Sequence, residues 1–187
     1  MKKYLLSVSF GVSLCLLVSI QVSAQTEIGD WLVGGLLELN TARNNTTIEF
    51  SPNAGYFFMK NLAIGAKIVV AYEELGNLDI TSVGAGPFVR YYFSEGKIKP
   101  FFSGDIDYQN RKLKTGQGSS TENAFNYFLG GGAAFFINNN VAVEGLLGYN
   151  HIMVKGESGN GGLNFKVGFQ VYINKNQVQG VKSTFTK

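Results

Sequence analysis

Charge is scarce in this chain. Asp, Glu, Lys and Arg make up 16% of it, against about 25% in an ordinary soluble domain, too little to cover a water-facing surface. Cysteine is scarcer still: the one example, Cys15, sits in an N-terminal apolar stretch, so the rest of the chain has no disulfide and no thiolate metal site. No segment after residue 24 approaches 18 consecutive apolar residues, which excludes transmembrane helices. The apparent basicity also dissolves on inspection. Of 16 Lys and Arg, Lys2 and Lys3 belong to the leader, leaving 14 against 13 Asp and Glu. A net charge near neutrality gives no support for nucleic-acid binding.

The leader is residues 1–24, read as a secretory signal peptide. Lys2 and Lys3 form a positive start, residues 4–20 an uncharged apolar core, and Val22-Ser23-Ala24 supplies small residues before a cut at Gln25. The apolar run is short for a membrane anchor and no positive stop follows it. A lipoprotein site at Cys15 is disfavoured by the bulky Leu14 before it and the apolar residues after it. The remaining 163 residues suit one domain, with 25–173 forming it and 174–187 a short polar tail.

What is abundant is alternation. In residues 162–173, Leu163, Phe165, Val167, Phe169, Val171 and Ile173 fall on one face; Asn164, Lys166, Gly168, Gln170 and Tyr172 fall on the other. Successive strand side chains point to opposite faces, so such a segment divides an apolar environment from a polar one. Eight segments follow this pattern, at 30–40, 46–58, 62–73, 81–93, 99–111, 124–137, 141–154 and 162–173. They predict an all-β fold: an eight-stranded antiparallel up-and-down transmembrane barrel. Short, turn-forming connections (59–61, 94–97, 138–140) alternate with longer polar ones (41–45, 74–80, 112–123, 155–161). That asymmetry predicts short periplasmic turns and longer extracellular loops, with the N-terminus entering from the short-turn side.

Aromatic residues fall at the ends of the apolar face. Tyr72, Tyr108, Tyr127 and Tyr149 lie near the predicted extracellular ends; Trp31, Tyr56, Phe58, Tyr91, Phe93 and Phe135 lie near the periplasmic ends. Between them the face is aliphatic, with Val33, Ile64, Ile68, Val89, Ile106, Leu129, Val143 and Val167. Two aromatic belts around an aliphatic middle fit a barrel meeting two headgroup layers. Pro52 and Pro87 count against a closed ladder, since each lacks an N–H; local bulges are expected there.

The opposite face is small or charged. Gly34, Gly55, Gly65, Gly84, Gly86, Gly130, Gly132, Gly148 and Gly168 occupy it, as a narrow interior requires. Among them stand Glu38, Glu49, Lys67, Arg90, Asp105, Asp107, Glu144 and Lys166. Charges inside a narrow barrel must pair, so a salt-bridged network is expected: Lys67 with Glu49, Arg90 with Asp105 or Asp107, and Lys166 with Glu144 or with Glu38 across the closing seam. Such a network serves either as a plug that specifies register or as an ion path. Eight strands leave little room for more than the side chains themselves, which favours the plug and rules out a wide porin.

With these residues in place, the chain resembles the small OmpA/OmpX-type outer-membrane β-barrel family, often called porin-like. The match covers 29–173 and rests on Gly29-Asp30-Trp31-Leu32-Val33-Gly34-Gly35, on the glycine-aromatic run Val83-Gly84-Ala85-Gly86-Pro87-Phe88-Val89-Arg90-Tyr91-Tyr92, and on the closing strand. The resemblance implies residence in a bacterial outer membrane, contact with its lipids and lipopolysaccharide, and recognition of the last strand by the barrel assembly machinery. Family barrels often stop at an aromatic residue in that strand, whereas this chain continues through 174–187.

The motifs specify architecture better than activity. The expected role is structural, for envelope integrity or surface display, with a narrow small-solute or ion pore as the alternative and a monomer as the expected state. No cofactor, metal or nucleic acid is indicated. Barrel enzymes that modify lipid A are a rival class, and His151 with Glu157 and Ser158 is the one constellation to consider for it; no diagnostic spacing supports catalysis. A soluble lipocalin-like carrier is the other rival, opposed by the small, weakly charged polar face.

Overall fold

The computed structural model describes residues 26–42, 45–116, 118–154 and 159–176. The leader and most of the tail therefore lie outside the described residues, as do the tips at 43–44, 117 and 155–158. Eight strands run in chain order: β1 (Trp31–Ala42), β2 (Asn45–Met59), β3 (Leu62–Leu75), β4 (Leu78–Tyr92), β5 (Ile98–Thr115), β6 (Gly118–Phe136), β7 (Val141–Val154) and β8 (Asn160–Ile173). Each pairs antiparallel with its sequence neighbour, and β1 pairs with β8 to close the barrel. The β1–β8 ladder runs from Trp31 opposite Ile173 to Glu38 opposite Lys166.

Alternation translates directly into an inside and an outside. Ile64, Ile68, Val89, Ile106, Leu129 and Phe165 are exposed on the outer surface. Leu32, Phe57, Phe88, Phe128, Leu146 and Tyr172 are buried within.

The longer connections are built differently from the sequence expectation. Most of 112–123 is strand: β5 and β6 continue as one hairpin, pairing as far as Thr115 opposite Gly118. Likewise, 74–80 shrinks to a tight turn between Leu75 and Leu78, with Gly76 at φ 59, the left-handed conformation glycine adopts without strain. At this end the polar residues extend the ladders beyond the barrel rather than forming loops. The opposite turns are short, and Asn61 (φ 63) supplies the left-handed residue at the β2–β3 turn.

Pro52 and Pro87 produce no bulge. Pairing of β2 with β3 skips Ser51 and Pro52, then resumes in the same register, Phe50 with Val70 and Asn53 with Lys67. Pairing of β4 with β5 likewise skips Gly86 and Pro87 between Ala85–Tyr108 and Phe88–Asp105. Each proline keeps its other neighbour, Gly35 and Ala66 respectively, so the missing N–H weakens one ladder and leaves the strand straight. The irregularity in β2 lies instead at Phe57/Met59, beside the turn.

Candidate functional site in the barrel interior

All eight charged residues picked from the inward phase point into the lumen, but most of their pairings differ from expectation. Lys67 does not reach Glu49; its Nζ donates to Asp105 Oδ1 at 2.5 Å and lies 2.7 Å from Asp107 Oδ2. Arg90 meets neither Asp105 nor Asp107, and its Nη1 donates to Glu144 Oε2 at 2.7 Å. Lys166 leaves Glu144 aside and bridges Glu49 at 2.7 Å and Glu38 at 3.3 Å. Expectation favoured neighbouring strands. Except for Lys166 with Glu38, the contacts pass over at least one intervening strand, because a narrow lumen brings distant walls within reach of a long side chain.

At the short-turn end the interior is aromatic. Phe57, Tyr92, Phe101, Phe136 and Tyr172 form a buried cluster with Leu32, Ala63 and Ala142, their rings 4.7–6.3 Å apart for the Phe136–Tyr172, Tyr92–Phe101, Phe57–Tyr92 and Phe57–Tyr172 pairs. Directly on this floor sits a closed polar network. Arg90 donates to Glu144, and the Tyr172 hydroxyl donates to Glu144 Oε1 at 3.0 Å. The Tyr92 and Tyr172 hydroxyls share a hydrogen bond of 2.7 Å, and the Arg90 guanidinium lies 4.5 Å from the Phe101 ring centre. Below the floor, Thr26 is buried and accepts from Lys99 Nζ at 2.7 Å. The Asn61 amide also bonds the Thr26 carbonyl at 2.8 Å, so the segment before β1 straps across the opening.

This floor escaped the sequence reading, which described the inward phase as small or charged. A signal was present. Phe57-Phe58, Tyr91-Tyr92, Phe101-Phe102 and Phe135-Phe136 are aromatic doublets, and in a strand one member of each must turn inward.

Above the floor, Phe88 and Phe128 fill the space that inward glycines leave. A Cβ on Gly65 would stand 2.6 Å from the Phe88 ring, and one on Gly148 would collide with Phe128. The neighbouring strand's backbone stands equally in the way, Ala54 O at Gly65 and Leu129 O at Gly148, so glycine is required at those two positions by close strand approach together with the ring.

The hairpin end has a different character. Lys67 bridges Asp105 and Asp107, Lys166 bridges Glu38 and Glu49, and Arg111 bridges Glu122 at 2.7 Å and Glu73 at 3.6 Å. Each base thus holds two carboxylates. The surplus acids accept from neutral donors: Gln109 and Asn126 give hydrogen bonds of 2.7 and 3.0 Å to Asp107, Ser51 one of 2.7 Å to Glu49, and Asn164 one to Glu38. Over these groups opens a polar vestibule of about 420 Å³, lined among others by Glu38, Glu49, Glu73, Arg111, Asn126 and Asn150. Glu73, Arg111 and Glu122 were absent from the expected network because polar residues near a strand end carry no alternation signal.

The ten aromatic residues assigned to belts all lie on the outer surface: Trp31, Tyr56, Phe58, Tyr91, Phe93 and Phe135 toward the short-turn end, and Tyr72, Tyr108, Tyr127 and Tyr149 toward the hairpin end. Several pair edge to face, as Trp31 with Tyr56 at 5.3 Å and Tyr91 with Phe93 at 5.1 Å. His151 is also outward, between Tyr127 at 5.2 Å and Tyr149 at 6.3 Å; Glu157 and Ser158 lie outside the described residues.

No family model matches the chain, and no curated protein matches it. Solved structures do. Neisserial surface protein A aligns over 76% of this chain and 96% of its own, with a TM-score of 0.63 and 14% identity. The N-terminal β-barrel domain of Pseudomonas aeruginosa OprF aligns over 78% and 98%, with a TM-score of 0.55 and 10% identity. Ail, the attachment invasion locus protein of Yersinia pestis, aligns over 78% and 99%, with a TM-score of 0.50 and 11% identity. At such identities the likeness is one of architecture: the chain has the closed eight-stranded antiparallel fold of the small OmpA/OmpX-type outer-membrane barrels.

Proposed function

We propose that this chain is an integral protein of a bacterial outer membrane, acting as a rigid, internally braced and non-conducting barrel with a structural or surface-display role. The observation that carries the reading is the blocked lumen. The Arg90–Glu144–Tyr92–Tyr172 network and the aromatic floor beneath it fill the cross-section at the short-turn end. The outer surface, apolar across all eight strands, suits a hydrocarbon environment, where a closed ladder leaves no sheet edge exposed.

In this reading the two sets of outer aromatic rings contact headgroups of lipid and lipopolysaccharide, the alternating residues of β8 are read by the assembly machinery, and the monomer is the working unit. No catalytic role is assigned to His151. The test is fractionation followed by planar-bilayer recording of the purified protein. Recovery with outer membranes, heat-modifiable migration on detergent gels and no steady channels are expected. Recovery in the aqueous fraction overturns the location; steady channels altered by Arg90→Ala replace the structural role with a narrow pore.

A further inference from the structure

We infer that the vestibule at the hairpin end is a binding site for a small organic cation bearing ammonium or guanidinium groups. Inward-facing charges at or above the Phe88–Phe128 level are Glu38, Glu49, Glu73, Asp105, Asp107 and Glu122 against Lys67, Arg111 and Lys166. Each of the three bases is committed to two acids, so each cluster carries one uncompensated negative charge among the described residues. Three of those carboxylates, from Glu38, Glu49 and Glu73, line the cavity itself, with Arg111 the one cation on its wall. Low-dielectric walls around like charges focus their field and concentrate counter-ions.

A second observation points to a ligand with hydrogen-bond donors. Asn126 is 4% exposed and lines the vestibule. Its amide nitrogen is spent on Asp107, while its Oδ1 has no hydrogen-bond partner. Asn150 Oδ1, on the same wall, is also unpartnered. Three donors nearby are already engaged: Gln109 to Asp107, Asn164 to Glu38 and Lys166 to Glu49. Two unpartnered carbonyl oxygens beside a surplus of carboxylates favour a ligand rich in hydrogen-bond donors, which is the chemistry of ammonium and guanidinium.

The spacing of the acids favours an extended cation over a metal ion. No three Asp, Glu or His side chains among the described residues converge as a metal would require. The volume, about 420 Å³, lies within the usual range of small-molecule sites, about 300–1,000 Å³. This inference needs only the folded barrel, and it stands apart from the membrane location and the blocked floor.

The experiment uses the full mature protein refolded in detergent, with folding checked by heat-modifiable migration, and spermidine as the probe in calorimetric titration at low salt. Saturable binding is expected, weakened about tenfold by Glu73→Gln, since a charge-assisted hydrogen bond is lost, and weakened again by Asn126→Ala. Glu74→Gln, on the outer face, leaves it unchanged. The proposal is overturned if folded protein shows no saturable binding, or if Glu74→Gln weakens it as much as Glu73→Gln, which would reveal attraction to surface charge alone.

Discussion

Arg90 and Arg111 stand on inward positions of adjacent strands, β4 and β5, and each holds a carboxylate at 2.7 Å. Their surroundings differ. Arg90 and Glu144 have side chains 2% and 0% exposed, on a floor of aromatic rings. Arg111 stands at 12%, and its partners Glu73 and Glu122 at 28% and 23%, beside the vestibule. On that floor the charges balance one to one and the tyrosine hydroxyls complete the set. Elsewhere each base carries two acids, and amide donors help hold the excess. The Arg111 cluster is open to water, whereas those of Lys67 and Lys166 are nearly as buried as the Arg90 pair, with Asp107 0% and Glu38 4% exposed. One lumen thus contains a sealed half around Arg90 and an acidic half that opens to water at Arg111, with the Lys67 and Lys166 clusters buried between. Desolvation penalises an unmatched charge, so the surplus acids are either near water, as Glu73 and Glu122 are, or supplied with neutral donors, as Gln109 and Asn126 supply Asp107 and Asn164 supplies Glu38.

Removing each arginine in turn is the most forceful way to break that comparison. Arg90→Leu strands Glu144 in the sealed half and is expected to destabilise by about 3–5 kcal/mol. Arg111→Leu, in reach of water, should cost no more than about 1 kcal/mol. The urea midpoint of heat-modifiable migration measures both; equal losses would show that the two halves are equally dry. Replacing both members of the buried pair, as Arg90→Leu with Glu144→Leu, should recover much of the loss.

A smaller effect sharpens the picture of the sealed half. Gln170 is fully buried against Gly34, and neither of its amide atoms has a hydrogen-bond partner. Gln170→Leu removes that desolvation cost at similar volume and should stabilise by about 1 kcal/mol. A lower urea midpoint would mean that the amide contributes more than it costs.

The smallest effect lies outside the lumen, in the short turns, where Lys60 meets Glu95 at 2.5 Å. The hydrogen bond to Glu95, then the nearby Glu27 charge, raises the Lys60 ammonium above its ordinary range; the hydrogen bond from Lys60 lowers the Glu95 carboxyl below its own. The Glu95 contribution is therefore present above the unfolded carboxyl pKa and lost as pH falls through the folded one. The Lys60 contribution is present below the unfolded lysine pKa and lost as pH rises through the folded one. Stability should be flat between these limits, and Glu95→Gln should flatten the acid limb slightly. An acid limb unchanged in the variant would assign it to other groups.

Strand number, the inward and outward phases and the outer aromatic positions were legible because alternation records a boundary between two solvents. Where that boundary ends, so does the signal. Lys112, Lys114, Thr121 and Asn123 belong to strands whose two faces are both polar, and in sequence they look like loop. The ion pairs were hidden for another reason. Lys67 to Asp105, or Arg90 to Glu144, depends on the stagger of strands around a closed circle, which no local pattern encodes. The floor was hidden least: its aromatic doublets were visible, and only their inward members went unread.

The seam between β1 and β8 also brings the ends of the barrel together. The Lys175 amide bonds Asp30 Oδ1 at 3.2 Å, beside the segment that straps the short-turn end. A ring whose ends meet has no structural first strand. Joining residue 176 to residue 26 through a short linker, and cutting instead at the tip of the β5–β6 hairpin, keeps every strand pairing and every lumen pair while changing the order in which the strands are made. Circular permutation at that tip therefore separates what the cylinder needs in order to exist from what it needs in order to assemble.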